Sequence, residues 1–326
     1  MVRSRAISAA AALALAGCRE KAVPPPAPPP APAFPLPQNA PQRSDVSCAA
    51  PLDAPGAREK LRPAKGEVRI GVLAGLKEAD DDNVAFLRKQ VAELKRRGAE
   101  VLLADGDLGD NLEEQETLLG ALADSGLPII AVAGNREVRS ELDAAEAELR
   151  KKGARILDLS HTRVVDLGDA VVVGLPGAFE RRQVHSDGAC IYVQKDIDAL
   201  AAALEHWQGP PAILVAAVPP RGQDARALDV SEGQNLGDPR LAPLLRRAPF
   251  GVFGQVWESG GRAVDGKGAP LAPGAWADQL YLNPGAADHA PWPMVDGSTV
   301  AGQAALLTVR GRRASWEPVR LAEEKR

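Results

Sequence analysis

A short acidic segment at the end of an aliphatic run offers the clearest chemistry in this sequence. Residues 101–111 read VLLADGDLGDN, so Asp107 and Asp110 follow an aliphatic stretch and a Gly-containing turn. Near-continuous aliphatic residues before a sharp turn are typical of a buried parallel strand, and ligands bind at the carboxyl ends of such strands. An aspartate at that position could hold a divalent cation and, through the cation, a phosphate.

The elements that must position this segment alternate between strands and helices from residue 67 onward. Aliphatic and β-branched runs predict strands over residues 68–74, 101–104, 128–133, 163–166, 170–175, 212–217, 251–255, 279–282 and 303–310. Apolar residues at helical spacing predict helices over residues 83–97, 112–125, 140–152 and 195–206. Asp82 is the expected N-cap of the first helix, and Ser140 with Asp143 form the expected capping box of the third. This order predicts an α/β domain with a largely parallel sheet.

The composition is that of a globular protein. Of 326 residues, 45% are hydrophobic and 25% are charged, which is enough apolar material for a sizeable core. The formal net charge of −4 gives no electrostatic reason to expect nucleic acid as a partner. The sequence contains no Gly-x-Ser-x-Gly elbow and no glycine-rich phosphate loop, so it does not indicate a serine hydrolase of that type or a nucleotide-binding P-loop.

The N-terminus resembles the signal peptide of a bacterial lipoprotein. Arg3 and Arg5 precede an apolar stretch at residues 6–16 that is too short to span a bilayer as an ordinary helix. The stretch ends in Leu-Ala-Gly-Cys, which is similar to the lipobox in which the cysteine, here Cys18, becomes the lipidated first residue. The resemblance implies a signal peptide over residues 1–17 and an anchor of acyl chains in the bacterial cell envelope. Arg19 after this cysteine favours the outer membrane, and an ordinary secretory signal with a chance cysteine is the alternative.

Residues 18–66 are expected to link this lipid anchor to the folded domain. Proline and alanine dominate residues 23–41, which favours an extended polyproline II stalk. Residues 42–66 are predicted to be a polar approach with one short helix, and residues 323–326 a charged tail. Cys48 and Cys190 remain after lipidation of Cys18, and in an oxidising compartment they are expected to form a disulfide. Two unpaired thiols are the alternative.

Five short segments at the ends of predicted strands resemble the motifs of the calcineurin-like metallophosphoesterase family. They are residues 74–77 (AGLK), 106–110 (GDLGD), 134–137 (GNRE), 217–220 (AVPP) and 254–257 (GQVW), and residues 174–177 (GLPG) and 283–285 (NPG) are further landmarks. The resemblance covers residues 68–321 and implies a four-layer α/β/β/α sandwich over a domain of residues 67–322. Active members of the family hold two cations, bridged by an acid and surrounded by imidazoles and an asparagine, which clamp the phosphate.

Most of the family's metal ligands are replaced in this sequence. Asp107 stands at the position of the bridging aspartate and Asn135 at that of the ligand asparagine, so these two are the residual metal ligands. The replacements are Gly75 and Lys77 for Asp-x-His, Arg136 for the histidine that assists the leaving group, Ala217 for a metal histidine, and Gln255 and Trp257 for the last two histidines. One carboxylate and one amide oxygen fall far short of a two-metal site, and Lys77 and Arg136 would oppose metal entry.

The histidines of the chain do not make up for these losses. They stand away from the motif positions and are expected at the surface or in loops: His161, His185, His206 and His289. A site built on Asp107 and Asn135 would therefore have no imidazole ligand from the motifs.

Three functions are compatible with this pattern. In the favoured one the domain binds but does not hydrolyse, and Lys77 with Arg136 holds a phosphate or carboxylate without a metal. These two residues could equally do no more than neutralise neighbouring acids. In the second, Asp107 and Asn135 form a reduced hydrolytic site with Mn, Fe or Zn; no other cofactor is expected. In the third, the domain is an interaction module for an envelope partner, and tryptophans that pack under loops or are exposed could form its binding surface: Trp257, Trp276 and Trp292.

Overall fold

The computed structural model describes residues 47–186 and 188–321. The signal peptide, Cys18, residues 18–46 of the linker and the charged tail at 323–326 lie outside the described residues. Within this part of the chain, no helix is both long enough and apolar enough to cross a membrane.

Strands and helices alternate in the first half of the domain, and strands dominate the second. The strands are β1 (Arg58–Lys60), β2 (Val68–Ala74), β3 (Val101–Asp105), β4 (Ile129–Val132), β5 (Ile156–Asp158), β6 (Val164–Asp166), β7 (Val171–Gly174), β8 (Ala212–Val215), β9 (Val230–Ser231), β10 (Gln234–Asn235), β11 (Phe250–Val252), β12 (Arg262–Val264), β13 (Leu280–Asn283), β14 (Trp292–Pro293), β15 (Thr299–Val300), β16 (Ala304–Arg310) and β17 (Arg313–Val319). The α-helices are α1 (Asp81–Arg96), α2 (Leu112–Ala123), α3 (Arg139–Lys151), α4 (Gln194–Glu205) and α5 (Ala242–Leu245).

Two large sheets contain most of these strands. The first has the order β17-β16-β2-β3-β4-β5, in which β2 to β5 are parallel and β16 pairs with β2 in the antiparallel sense. The second has the order β1-β6-β7-β8-β11-β13-β12, and β7, β8, β11 and β13 are parallel. Each parallel set gathers the carboxyl ends of its strands at one edge of its sheet.

Alternate residues of the parallel strands face different layers of the core. Ile70 and Val72 of β2 pack between the two sheets, whereas Leu73 packs with the apolar faces of α1, α2 and α3. In β3, Leu103 likewise packs between the two sheets and Leu102 packs against the helices. This follows from the two-residue period of a strand. A third apolar cluster joins the outer face of the second sheet to α4 and α5. These clusters define four layers in the order α/β/β/α, so the expected fold class is confirmed.

Residues 47–66, which the sequence assigns to the linker, pack on the domain. They contain β1, which pairs in parallel with β6, and no helix, so the short helix predicted within residues 42–66 is not present in 47–66. Residues 42–46 lie outside the described residues. Cys48 and Cys190 form a disulfide across 142 residues of sequence. The Cys48 amide also donates to the Ile191 carbonyl oxygen at 3.2 Å. The folded part of the chain therefore begins before residue 67.

Two helix caps differ from their predictions. Asp80, rather than Asp82, caps α1, and its carboxylate accepts a hydrogen bond from the Asn83 amide at 2.9 Å. Helix α3 begins at Arg139 after Val138 and has no side-chain cap, so the predicted capping box of Ser140 and Asp143 is wrong. The Asp143 carboxylate instead accepts a hydrogen bond from His161.

Candidate functional site

The loops that follow β2, β3 and β4 meet at the carboxyl edge of the first sheet. The Gly75 amide donates to the Gly106 carbonyl oxygen at 3.2 Å, and the Lys77 amide donates to the Asp107 carbonyl oxygen at 3.0 Å. A Cβ atom on Gly106 would lie 3.0 Å from the Cβ of Ala217, which belongs to the second sheet's edge. The Gln255 amide in turn donates to the Ala217 carbonyl oxygen at 2.9 Å. The two sheets therefore bring these motif positions together into one site.

Gly75 and Trp257 are packed closely against each other. Gly75 has a φ of +58°, and a Cβ atom on it would lie only 2.9 Å from the indole Nε1 of Trp257. An aspartate at position 75 could therefore not coexist with the tryptophan at 257 without a shift of one of them. The residue types at positions 75 and 257 therefore depend on each other.

Lys77 lies between two tryptophans. Its Nζ is 4.4 Å from the ring centroid of Trp257 and 4.2 Å from that of Trp292, and the two rings meet edge to face. The carboxylate of Asp288 is 3.4 Å from the same nitrogen, and only 11% of the lysine side chain is exposed. Trp257 and Trp292 thus pack around this ammonium group instead of forming an open aromatic surface. We call these four residues the lysine cage. The remaining tryptophan considered for such a surface, Trp276, lies under the guanidinium of Arg310 at 4.9 Å.

Arg136 is engaged by the two aspartates of the second motif. Its Nη1 donates to the Asp110 carboxylate at 2.7 Å, and its Nε lies 3.4 Å from Asp107 Oδ1. Burial raises the pKa of Asp107 from 3.8 to about 6, although the charges of Arg136 and Lys77 act in the opposite direction. Both cations of the site therefore have acidic partners within the domain.

The buried side chain of Glu137 connects the loop after β3 to the loop after β4. Its two carboxylate oxygens accept hydrogen bonds from the Leu108 amide at 2.5 Å and from the Gly134 amide at 2.6 Å. The side chain is completely buried. Burial and the charge of Asp107 raise the pKa of Glu137 to about 8, against the lowering effect of these amides. Glu137 thus fixes the geometry of the site rather than facing a ligand.

Two acidic residues of the site, Asp105 and Asp288, were not predicted from the sequence motifs. Asp105 is the last residue of β3, and neither of its carboxylate oxygens has a hydrogen-bond partner among the described residues. Burial, followed by the charges of Asp107 and Glu137, raises the pKa of Asp105 well above its ordinary value. An acid at the end of an aliphatic run was the signal that could have identified it. Asp288 lies in an irregular segment after β13, and no local pattern indicates its contact with Lys77.

Asn135 is held by the segment that contains His185. The side-chain amide of Asn135 donates to the Gln183 carbonyl oxygen at 2.6 Å. The backbone carbonyl oxygen of Asn135 accepts a hydrogen bond from the backbone amide of His185 at 2.9 Å. Burial, together with the charge of Arg136, lowers the pKa of the His185 imidazole. All four histidines of the chain are exposed, as the sequence predicts. Among residues 47–186 and 188–321, the motif positions do not provide three acidic, histidine or cysteine donors close enough to hold one ion.

The fold has solved counterparts. One structure superposes with a TM-score of 0.57 and 13% identity, covering 78% of this chain and 100% of the other. The Thermus thermophilus protein TT1561 superposes with a TM-score of 0.51 and 16% identity over 78% of this chain and 99% of its own. A dimetal phosphatase from Danio rerio gives a TM-score of 0.46 and 15% identity over 78% and 99% of the two chains. No family model matches this sequence, and no curated protein is detectably similar to it.

These likenesses concern the fold, because the identities lie between 13% and 16%. The chain is an α/β/β/α sandwich, a fold that it shares with TT1561, and its motif positions meet at the sheet edges. Function must be argued from the residues at those positions.

Proposed function

We propose that this protein is a metallophosphoesterase-like domain without a hydrolytic centre, which serves as a binding or interaction protein of the bacterial envelope. One observation carries the proposal. The side chains of Lys77 and Arg136 stand at motif positions where active members have histidines, and both are already paired with acids of the domain. The site thus carries its own positive charges.

Electrostatics disfavours a catalytic metal at this edge. A unit charge 4 Å from another contributes about 4 kcal/mol at an effective dielectric of about 20. A divalent ion at that distance from the Lys77 ammonium would be repelled by roughly twice as much, about 8 kcal/mol, before the attraction of Asp288, 3.4 Å from the same nitrogen, is subtracted. Among the positions of the family's metal ligands, Asp107 is the carboxylate that could offset this repulsion, and Arg136 already lies 3.4 Å from it. The lysine cage would have to open before a cation could take the place of Nζ.

A reduced hydrolytic site at Asp107 and Asn135 is the alternative. One feature favours it: the side-chain nitrogen of Asn135 donates to Gln183, which directs the amide oxygen elsewhere and leaves it available as a ligand. Hydrolysis would still need a metal ion that is held by two protein ligands, Asp107 and Asn135, in a site that also carries two cationic side chains.

Hydrolysis of an aryl phosphate by the full chain, purified in detergent and supplied with Mn²⁺, tests these alternatives. We expect the wild type to show no turnover above that of Asp107→Asn. Mn²⁺-dependent turnover that Asp107→Asn abolishes would contradict the proposal and establish the alternative.

A restored variant provides the positive control for the fold. It would carry the family's motif residues at six positions together: Gly75→Asp, Lys77→His, Arg136→His, Ala217→His, Gln255→His and Trp257→His. Because Trp257 is replaced at the same time, the aspartate at position 75 meets no indole. We expect this variant to bind Mn²⁺ at the sheet edge. A folded variant that binds none would contradict the assignment of motif positions.

Phosphate binding at this edge is a narrower proposal. Arg136 would have to exchange the Asp110 carboxylate, whose side chain is 57% exposed, for a phosphate oxygen, whereas Lys77 stays in its cage. Calorimetric titration of inorganic phosphate into the wild type and into Arg136→Gln tests this exchange. Equal heats for both proteins would exclude Arg136 as an anion-binding residue.

The envelope location is proposed from the lipobox-like segment at Cys18 and the proline-rich stretch that follows. Acylation would hold the domain at the membrane, and the stalk would keep it at a distance from the surface. Cys18→Ser should move the protein from the membrane fraction to the soluble fraction of the cell. Retention of this variant in the membrane fraction would contradict lipid anchoring.

A further inference from the structure

A second group of ionisable side chains lies away from the motif loops, beyond the edge strand β5. Asp158 ends β5, His161 follows it in a turn, and Asp143 lies in the first turns of α3. Each offers one donor atom, and these three atoms lie within 4.8 Å of one another. His161 Nε2 is 2.7 Å from Asp143 Oδ1 and 3.9 Å from Asp158 Oδ2.

Asp158 is the buried member of this group. Its side chain is 1% exposed, and its Oδ2, the oxygen that faces His161, has no hydrogen-bond partner among the described residues. Its Oδ1, in contrast, accepts a hydrogen bond from the Ser160 amide at 2.7 Å. A buried carboxylate oxygen without a hydrogen-bond partner is costly, and a bound cation would relieve that cost. A second buried acid, Glu146, lies near it: the side chain of Glu146 is 1% exposed, and burial, followed by the charge of Asp158, raises its pKa.

We propose that Asp143, Asp158 and His161 bind one zinc-type divalent cation. The donor set is two carboxylate oxygens and one imidazole nitrogen, which suits Zn²⁺ and disfavours Ca²⁺ and Mg²⁺, because the latter prefer oxygen ligands alone. The side chains of His161 and Asp143 are 47% and 40% exposed, so a cation can enter from solvent while Asp158 holds it from the buried side. Three protein ligands leave a fourth tetrahedral position for water.

Arg139 competes with this cation for His161. Its Nη2 lies 3.0 Å from His161 Nδ1. Since a guanidinium only donates, Nδ1 must accept, and the ring proton is then on Nε2, where it is donated to Asp143. A cation bound to Nε2 requires the other tautomer, in which Nδ1 carries the proton and can no longer accept from Arg139. Binding therefore shifts the ring proton from Nε2 to Nδ1 and releases Arg139 from the imidazole.

The position of the site suggests what the cation stabilises. The Arg139 Nη1 donates to the Cys48 carbonyl oxygen at 2.7 Å, and the Ala50 amide donates to the Ser160 carbonyl oxygen at 2.7 Å. The group therefore lies where the first described residues of the chain meet β5 and α3. A cation here would hold the turn after β5 against α3, next to the Cys48–Cys190 disulfide.

Zn²⁺ titration of the full chain in detergent tests the site, with the metal bound per chain measured after dialysis. We expect one Zn²⁺ per wild-type chain, and at least about 10-fold weaker binding by His161→Ala and by Asp158→Asn. Asp158→Asn keeps the shape of the side chain and removes a buried charge, so it should fold even if His161→Ala does not. No binding by the wild type, or unchanged binding by both variants, would overturn the proposal.

Two controls separate this site from the motif edge. His185→Ala removes another exposed histidine, and Asp107→Asn removes the bridging carboxylate; both should bind Zn²⁺ like the wild type. Loss of the ion in Asp107→Asn would place it at the motif edge and overturn this assignment. It would at the same time contradict the proposed metal-free function, whereas failure of the His161 site leaves that function unaffected.

Arg139→Gln tests the competition for the imidazole. This substitution removes both the donor to Nδ1 and a positive charge next to the proposed cation, so we expect the variant to bind Zn²⁺ about 10-fold more tightly than the wild type. Unchanged or weaker binding would overturn the role assigned to Arg139.

Discussion

Replacing Asp107 by asparagine removes one negative charge from the centre of the motif edge and keeps the size of the side chain. Asp107 has a φ of +52°, and asparagine is among the few residues that adopt this backbone conformation readily. The 2.7 Å contact between Arg136 and Asp110 does not involve Asp107, so we expect the variant to keep it. The main change is therefore the loss of a buried charge that burial already disfavours.

The pKa of Asp107 gives the size and the sign of the effect. Its carboxyl group ionises near 3.8 in the unfolded chain and near about 6 in the folded domain. At about 1.4 kcal/mol per pKa unit, ionising Asp107 inside the domain costs up to about 3 kcal/mol at neutral pH. The folded state binds this proton more tightly, so the wild type loses stability as the pH rises between these two values. Asp107→Asn does not titrate, and we expect it to be more stable than the wild type at neutral pH by up to about 3 kcal/mol.

Urea denaturation followed by circular dichroism, in buffers from about pH 5 to about pH 8, measures this difference. The stabilisation should be smallest in the most acidic buffer and constant well above pH 6. Asp110→Asn is the matched control, because it removes an exposed partner of the same arginine and should change stability by less than about 1 kcal/mol. A variant Asp107→Asn that is less stable than the wild type at neutral pH would refute the argument that burial outweighs the two cations.

Three further variants test the framework of the site. Replacing both Cys48 and Cys190 by alanine should lower the free energy of unfolding by about 2–5 kcal/mol, and reductant should then leave the melting temperature unchanged. Glu137→Ala leaves two buried loop amides without acceptors and should cost about 2–6 kcal/mol in urea denaturation, at about 1–3 kcal/mol for each amide; a loss below about 1 kcal/mol would contradict its role. Gly75→Ala should destabilise the wild type by about 1–2 kcal/mol and destabilise a Trp257→Phe background less, because that background lacks the indole nitrogen.

Aliphatic patterning was sufficient to predict the strands that form the two inner layers. Val101–Asp105 and Val68–Ala74 are buried on both faces, so their sequences are almost continuously apolar and stand out from their surroundings. Strand β17 was missed because Arg313–Val319 lies at a sheet edge and mixes arginine, serine, glutamate and proline with its buried residues. Strand β1 has the sequence REK and is fully exposed, and only its pairing with β6 makes it a strand.

Helix caps required tertiary information. Asp80, Asp81 and Asp82 are chemically equivalent, and the direction in which the chain enters α1 decides that Asp80 accepts the Asn83 amide. At α3, Ser140 has the right residue type for a cap, but the helix begins one residue earlier and His161 engages the carboxylate of Asp143. The local sequence therefore identifies several residues that could cap each helix, and contacts with distant segments determine which of them does.

The same limit applies to the site. The order of motif segments predicted that Gly75, Asp107, Ala217 and Gln255 would lie near one another, because strand ends of parallel sheets share an edge. It could not predict the partners of Lys77. Asp288 and Trp292 follow Lys77 by more than two hundred residues and lie in segments without a motif, so only the folded chain reveals the lysine cage.

Under the proposed function, the lysine cage links the residues that stand at the motif positions. In addition to the effect of burial, the carboxylates at the sheet edge raise one another's pKa values, as Asp107 does for Asp105 and Glu137. Lys77 beside Asp288 and Arg136 beside Asp107 offset these negative charges, and the indole of Trp257 fills the space next to Gly75. Changing one of these residues alone would leave a charge or a volume unmatched. Stepwise restoration of the ligands should therefore destabilise the domain at the intermediate stages, and metal affinity should return only when the cage and Arg136 are replaced together.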